Sequence, residues 1–188
     1  SPPDCSYIEN DWKVLAGFWY PIAFESEIGA EPFTATLLDT NLVIYRTDET
    51  EIVAALDQCP HRGSQLSLGR VEEGELVCAY HGFRYGAEGR CTSIPSIMGK
   101  SRPSARLCLS TFPVQQRYGL VWVCLRPEPR LPVFDWPDLE DPARQRAKLD
   151  LYLESSAGRV IENFSDISHF SFIHAASFGQ AEKPDVPP

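Results

Sequence analysis

The residues that say most about this chain are Cys59-Pro-His-Arg-Gly-Ser-Gln-Leu-Ser-Leu-Gly-Arg-Val71 and Cys78-Ala-Tyr-His-Gly-Phe-Arg-Tyr85. Each segment holds one cysteine and one histidine, and sixteen residues separate the first pair from the second. The other two of the four histidines lie in Asp166-x-x-His169-x-x-x-x-His174, so none is left over. Histidines placed for packing or surface charge would not sort so completely into two patterns. We therefore interpret both patterns as metal-ligand sets.

The first pattern is typical of a Rieske [2Fe–2S] cluster, in which two histidines replace two cysteines on one iron. Thiolates supply negative charge to a metal, whereas neutral imidazoles supply less and make their iron easier to reduce. Zinc is the competing interpretation, but finger-type zinc sites pair Cys with Cys and His with His. A thioredoxin-like role is excluded because the chain has no Cys-x-x-Cys.

The second pattern supplies a carboxylate and two imidazoles, which suit a mononuclear non-haem Fe(II) site. Residues five apart on an ideal helix lie about 140° apart around its axis, so a regular helix could not bring His169 and His174 to one ion. The pattern therefore predicts a broken or bulged helix between the two histidines. Alone it is a weak signal, because a helix with one Asp and two His is more often structural or exposed.

The segments around Cys59 and Cys78 resemble the Rieske domain of Rieske non-haem iron oxygenases, in particular the terminal oxygenase alpha subunits of aromatic-ring hydroxylating and demethylating systems. In respiratory Rieske proteins a disulfide joins the two cluster loops, and one of its cysteines falls where Ser64 stands here. That disulfide cannot form, so the oxygenase branch is favoured. Phe83 stands where many oxygenases carry Trp, an aromatic exchange that changes little.

The resemblance implies a role for each residue of the two patterns. The [2Fe–2S] cluster would be held by Cys59, His61, Cys78 and His81. His169 and His174 would be ligands of the mononuclear iron, whose third, carboxylate ligand is expected outside this chain. Asp166 would bridge an iron-ligating histidine to a cluster histidine of the neighbouring subunit in a homotrimer, and so carry electrons between subunits.

Composition limits the partners that we expect. The chain has 188 residues and an apolar fraction of 43%, typical of a globular protein of one large or two small domains. It has no run of about 18 apolar residues, so we expect no membrane contact, and without a visible export signal we expect a cytoplasmic protein. The net charge of −9 argues against nucleic acid, because phosphate binding needs clustered Lys and Arg.

The charge is unevenly distributed. Eight basic and four acidic residues lie between Cys59 and Arg117, which gives this basic segment a charge of +4 and leaves −13 for the rest of the chain. Such a segment around a redox centre could steer an acidic electron donor. The alternative is that these loop arginines are simply solvated. Reversing the charge of Arg84 or Arg106 tests the first interpretation.

Short strands with polar turns predict a mainly β, Rieske-type antiparallel sandwich, followed by the beginning of an α+β, helix-grip-like catalytic domain. We predict a Rieske domain over residues 1–125, a Pro-rich linker over 126–145 and the incomplete start of the catalytic domain over 146–188. A helix is predicted over 159–170 from its apolar face. Strands are predicted over residues 17–24, 33–38, 42–46, 51–56, 75–78, 118–125 and 147–153.

These features predict the terminal oxygenase of a multicomponent system. Electrons would come ultimately from NAD(P)H through a ferredoxin or flavin reductase, pass the Rieske cluster and reach the mononuclear Fe(II), where O2 is activated. The substrate would be a small aromatic or cyclic molecule of the kind degraded in aromatic catabolism, and monooxygenation or demethylation is favoured over dioxygenation. The alternatives are a ring-hydroxylating dioxygenase or, for this fragment alone, a Rieske electron-transfer protein.

Overall fold

The computed structural model describes residues 1–48, 50–95, 103–145, 147–177, 179–180 and 182. The chain divides into two compact units, Ser1–Arg144 and Gln145–Pro188. The described residues contain four short α-helices: α1 (Glu9–Leu15), α2 (Pro137–Glu140), α3 (Ala157–Ser165) and α4 (Phe170–Ile173). They also contain eleven β-strands: β1 (Tyr20–Phe24), β2 (Phe33–Leu37), β3 (Thr40–Arg46), β4 (Ile52–Leu56), β5 (Arg70–Glu72), β6 (Glu75–Val77), β7 (Arg84–Tyr85), β8 (Cys91–Ser93), β9 (Thr111–Phe112), β10 (Val114–Arg117) and β11 (Leu120–Val123).

The strands form three sheets, with the orders β1-β11-β10, β2-β3-β4-β9 and β5-β6-β7-β8. Every neighbouring pair of strands is antiparallel. This confirms the predicted mainly β, antiparallel fold with helices towards the C-terminal end. No helix among the described residues has both the length and the apolar character needed to cross a membrane.

The central strands β3 and β4 are buried on both faces. Because side chains alternate along a strand, each strand contributes to two hydrophobic cores. One core, on the side of β1, β10 and β11, contains Leu42, Ile44, Ile52 and Ala54. The other, on the side of β5 to β8, contains Val43, Tyr45, Val53 and Ala55, and it also includes Cys59 and Cys78. The two cysteines therefore join the core that the central sheet shares with the small sheet.

Residues 126–144, predicted as part of a linker, belong to the first unit and make several contacts with the rest of it. The Arg130 amide donates a hydrogen bond to the Gly17 carbonyl at 2.8 Å. Arg117 donates to the Val133 carbonyl at 3.2 Å and pairs with Asp135 at 2.6 Å, and Val133 is buried. The domain boundaries drawn from the sequence remain a prediction.

Two elements differ from the sequence predictions. Helix α1 lies ahead of the first predicted strand and was not predicted. The strand predicted over residues 147–153 is wrong: these residues are outside every sheet of the described chain. Their alternating leucines are exposed. A strand needs a neighbour to complete its backbone hydrogen bonds, and all strands of the described residues lie between Tyr20 and Val123.

The predicted helix over 159–170 is also interrupted. Helix α3 ends at Ser165, because the next residue, Asp166, has an extended backbone with φ −87° and ψ 102°. The Asp166 carboxylate accepts hydrogen bonds from the Ser168 amide, at 2.9 Å, and from the Ser168 hydroxyl. This local turn competes with helical hydrogen bonding. The break therefore precedes His169, and the single turn α4 separates His169 from His174.

Candidate functional site

The two segments that carry the cysteine–histidine pairs form loops with the same backbone pattern. In the first, the Cys59 amide donates to the Ser64 carbonyl at 2.8 Å, and the Gly63 amide donates to the Cys59 carbonyl at 2.8 Å. In the second, the Cys78 amide donates to the Phe83 carbonyl and the Gly82 amide to the Cys78 carbonyl, both at 2.9 Å. Each cysteine thus begins a tight turn that is closed by backbone hydrogen bonds on both sides.

A glycine stands four residues after each cysteine. Gly63 has φ +72° and Gly82 has φ +68°, a left-handed conformation that costs other residues about 1–2 kcal/mol. This conformation reverses the chain just past each histidine and lets both loops close around their cysteine. The spacing Cys-x-His-x-Gly in one loop and Cys-x-x-His-Gly in the other follows from this shared turn.

The cysteine sulfurs lie at the base of the site. Cys59 and Cys78 are each 2% exposed. The Cys59 Sγ lies 3.1 Å from the Tyr85 hydroxyl oxygen. Burial raises the pKa of the Cys59 thiol, which the hydrogen bond from Tyr85 partly opposes. A buried thiol at this position stays protonated until a metal replaces its proton, so the pair is suited to metal ligation rather than to nucleophilic chemistry.

The histidine rings lie together, with the ring centroids of His61 and His81 4.7 Å apart. The Nδ1 atom of His61 is buried and has no hydrogen-bond partner. Burial, with His81 and Arg62 close by, lowers the pKa of His61 and favours the neutral imidazole that metals bind. An unpaired buried polar atom is costly, and a metal bond would supply the missing partner. The residues present therefore fit a cluster with histidine ligands.

Each loop supplies one cysteine and one histidine. A finger-type zinc site pairs Cys with Cys and His with His around one ion. A Rieske cluster takes two cysteines on one iron and two histidines on the other. The donor set therefore fits the cluster better than zinc.

Aromatic rings flank both histidines. Phe83 stacks on His61 with centroids 4.5 Å apart and an interplanar angle of 7°. Tyr80 lies against His81 with centroids 3.9 Å apart. The sequence analysis assigned no role to Tyr80 or Tyr85. A signal for Tyr85 was present, because an extended chain leading into β7 places residues two apart, such as Phe83 and Tyr85, on the same face.

Asp166, His169 and His174 lie together in the second unit. The Asp166 Oδ2 is 3.6 Å from the His169 Nδ1, and the ring centroids of His169 and His174 are 5.3 Å apart. With metal–nitrogen bonds of about 2.1 Å, one nitrogen of each ring can reach a common ion. Hydrogen bonds from the Ser168 side chain and amide, with His169 nearby, lower the pKa of Asp166, so this carboxylate is ionised.

The predicted break between the two histidines is wrong. The Ile173 amide donates to the His169 carbonyl at 2.8 Å and the His174 amide to the Phe170 carbonyl at 3.1 Å, so a helical turn runs between them and the break lies before His169. His169 precedes the single turn of α4, and His174 follows it with φ −104° and ψ 17°. The two rings approach each other across the ends of this turn. The roles of Asp166, His169 and His174 as bridge and iron ligands remain predictions.

Comparison with known proteins gives the same picture. A family model of the Rieske [2Fe-2S] domain matches residues 18–113, about half of the chain. A second model, the vanillate O-demethylase oxygenase C-terminal domain, matches residues 153–188. The boundary between the two matches lies in the same part of the chain as the Pro-rich segment.

The chain is similar to individual proteins as well. It is 39% identical to methylxanthine N3-demethylase of Pseudomonas putida, over 88% of this chain and 49% of that protein. It is 34% identical to the 3-chlorobenzoate-3,4-dioxygenase oxygenase subunit of Comamonas testosteroni, over 93% of this chain and 41% of the relative. The solved structure of NdmA from Pseudomonas putida CBB5 superposes with a TM-score of 0.83 at 30% identity, over 96% of this chain and 56% of that one. The chain thus spans about half the length of the relatives that it matches.

Proposed function

The chain belongs to the Rieske oxygenases, and from this premise we propose that the protein carrying it is the terminal oxygenase component of a multicomponent system. It would accept electrons at a [2Fe–2S] cluster held by Cys59, His61, Cys78 and His81. It would use them at a mononuclear Fe(II) to activate O2 and oxidise a small aromatic or cyclic substrate. The observation that carries this proposal is the buried, unpartnered Nδ1 of His61 beside His81 and above two buried cysteines.

We assign the protein's own residues as follows. Cys59 and Cys78 would hold one iron of the cluster and the two histidines the other, and the cluster supplies one electron at a time when bound. Phe83 stacks on the His61 ring, which fixes the orientation of that ring and keeps water away from its covered face. Tyr85 would donate a hydrogen bond to the Cys59 sulfur once that sulfur is a metal-bound thiolate.

His169 and His174 would be iron ligands in the second unit. Asp166 faces the Nδ1 of His169, which leaves the Nε2 of that ring to bind metal. A carboxylate in this place orients a ligating imidazole and fixes its tautomer. As the resemblance implies, Asp166 would also contact a cluster histidine of a neighbouring copy in a homotrimer.

Hydroxylation or demethylation is the reaction class that we favour. The match to a vanillate O-demethylase C-terminal domain and the 39% identity to a methylxanthine N3-demethylase support it. A hydroxylated methyl group on oxygen or nitrogen releases formaldehyde, so both outcomes share one oxidation. Dioxygenation is the second candidate, since a dioxygenase oxygenase subunit is 34% identical.

The electron donor would be a ferredoxin or flavin reductase that draws on NAD(P)H. Within the basic segment, arginines that are exposed differ from one that is already paired, and only the exposed ones suit the docking of this donor. Arg84 is bound to Glu72 and Glu75, at 2.9 and 2.5 Å, so it is a poor probe of docking. Arg62 and Arg106 are exposed and better placed to meet an acidic partner, while Lys100 and Arg102 lie outside the described residues.

The proposal is tested by separating the two metal sites. Iron, acid-labile sulfide and donor-dependent O2 uptake are measured on anaerobically purified protein and on two variants. His61→Ala should lose the sulfide and the cluster's visible absorption. His169→Ala should keep the cluster, lose one iron per chain and lose O2 uptake. If His169→Ala retains both its iron and O2 uptake, the assignment of the second site is wrong.

A further inference from the structure

Four aromatic rings follow one another across the cluster site. Phe83 stacks on His61 at 4.5 Å, His61 meets His81 at 4.7 Å with an interplanar angle of 66°, and Tyr80 covers His81 at 3.9 Å with an angle of 33°. The two histidines therefore lie between a phenylalanine and a tyrosine, and His81 is itself exposed. One further aromatic ring lies next to each histidine, so each imidazole is covered on one face.

The two ends of this series differ in exposure. Phe83 is 4% exposed and belongs to the core that contains the cysteines. Tyr80 is 62% exposed, and no hydrogen bond of its hydroxyl is found among the described residues. The contact with the His81 ring is therefore the interaction that positions the Tyr80 side chain.

We propose that Tyr80 is a positioning residue that covers His81 and limits the access of water to it, and thereby lowers the midpoint potential of the cluster. With two thiolate ligands and two neutral imidazoles, the oxidised cluster site carries no net charge and the reduced site carries one negative charge. Water stabilises the charged form, so a ring that excludes water favours the oxidised form. This inference rests on the cluster of the proposed function.

The test is a redox titration of the cluster-loaded protein, followed by its visible and EPR spectra. Tyr80→Ala should raise the ratio of reduced to oxidised cluster at a fixed potential by roughly threefold or more, or ~28 mV for one electron. Tyr80→Phe keeps the ring and should behave as the wild type. Leu68→Ala is the matched control, because Leu68 is 69% exposed in the other cysteine–histidine segment and has no ring contact with a histidine.

The outcomes separate this inference from the proposed function. A wild-type protein without the cluster overturns both. A normal cluster in Tyr80→Ala with an unchanged midpoint potential overturns the role of Tyr80 alone, as does an equal shift in Leu68→Ala. If Tyr80→Ala does not retain the cluster, Tyr80→Leu provides the measurement: its smaller side chain should give an upward shift, and no shift overturns the proposal.

Discussion

At the base of the site, the hydroxyl of Tyr85 contacts the sulfur of Cys59. It lies 3.1 Å from the Cys59 Sγ inside a core. Burial raises the pKa of Tyr85 above its ordinary range, so the phenol keeps its proton. It must then donate to a metal-bound thiolate. Hydrogen bonds to cluster sulfurs stabilise the reduced, more negative state and raise the potential.

Tyr85→Phe should therefore lower the midpoint potential of the cluster while leaving the fold intact. The measurement is the same redox titration. Tyr45→Phe is the control, because the Tyr45 hydroxyl donates to the Gly86 carbonyl at 2.8 Å in the same core without contact to a sulfur. Equal potentials in Tyr85→Phe and wild type would contradict the role of this hydrogen bond.

Ligand residues are easier to predict from sequence than the residues that modify them. The chemistry of a cluster requires thiolates and imidazoles, so the spacing of Cys59, His61, Cys78 and His81 predicts them as ligands, and this assignment remains a prediction. Tyr80 and Tyr85 carry no such chemical requirement. Their proposed roles follow from the histidine ring or the sulfur that each contacts. Those contacts depend on the conformation of the loop that begins at Cys78 and on the register of β7.

The strands that were predicted best are those with a clear pattern on a buried sheet. β2, β3 and β4 lie where the apolar runs predicted them, with the turn at Leu38 and Asp39. The alternation over residues 147–153 is equally clear, yet no strand forms there among the described residues. A pattern can specify the faces of a strand but not the presence of its neighbour. The helix break at Asp166 depends on one side-chain turn, which periodicity does not report.

The loop that begins at Cys78 depends on the left-handed backbone of Gly82. An added Cβ would also approach Pro95 Cγ to 3.2 Å. Gly82→Ala should lower the free energy of unfolding by about 1–2 kcal/mol and reduce cluster content. Gly119→Ala has a similar φ of +75° with open space around it, so it should lower stability to a similar extent without loss of cluster. Equal cluster content in both variants would contradict this.

The hairpin of β5, β6 and β7 is joined by ion pairs that should make its stability depend on pH. Hydrogen bonds from Arg70 and then Arg84 lower the pKa of Glu72 from 4.5. A carboxyl with a lowered folded-state pKa stabilises the fold fully above its unfolded pKa, and this contribution is lost as the pH falls through the folded value. Arg84→Met should therefore show a smaller loss of stability than wild type on acidification below about pH 4.5. Chemical unfolding at several pH values measures this, with Arg90→Met as the control.

The protein as a whole is acidic, and its basic segment is partly neutralised by its own glutamates. Arg106 is exposed beside Leu107, which packs against the core of the cysteines. Arg106→Glu should slow reduction by an acidic donor and flatten the dependence of the rate on salt. Arg90→Glu is the control, since Arg90 already pairs with Glu88. Equal rates in all three proteins at low salt would remove the docking proposal.

The most direct test of the whole interpretation is the iron and acid-labile sulfide content of anaerobically purified protein, together with its EPR spectrum after dithionite reduction. We expect two sulfides per chain, a Rieske-type signal and an additional iron that His169→Ala removes. Bound zinc without sulfide would contradict the cluster and every function that we have proposed from it.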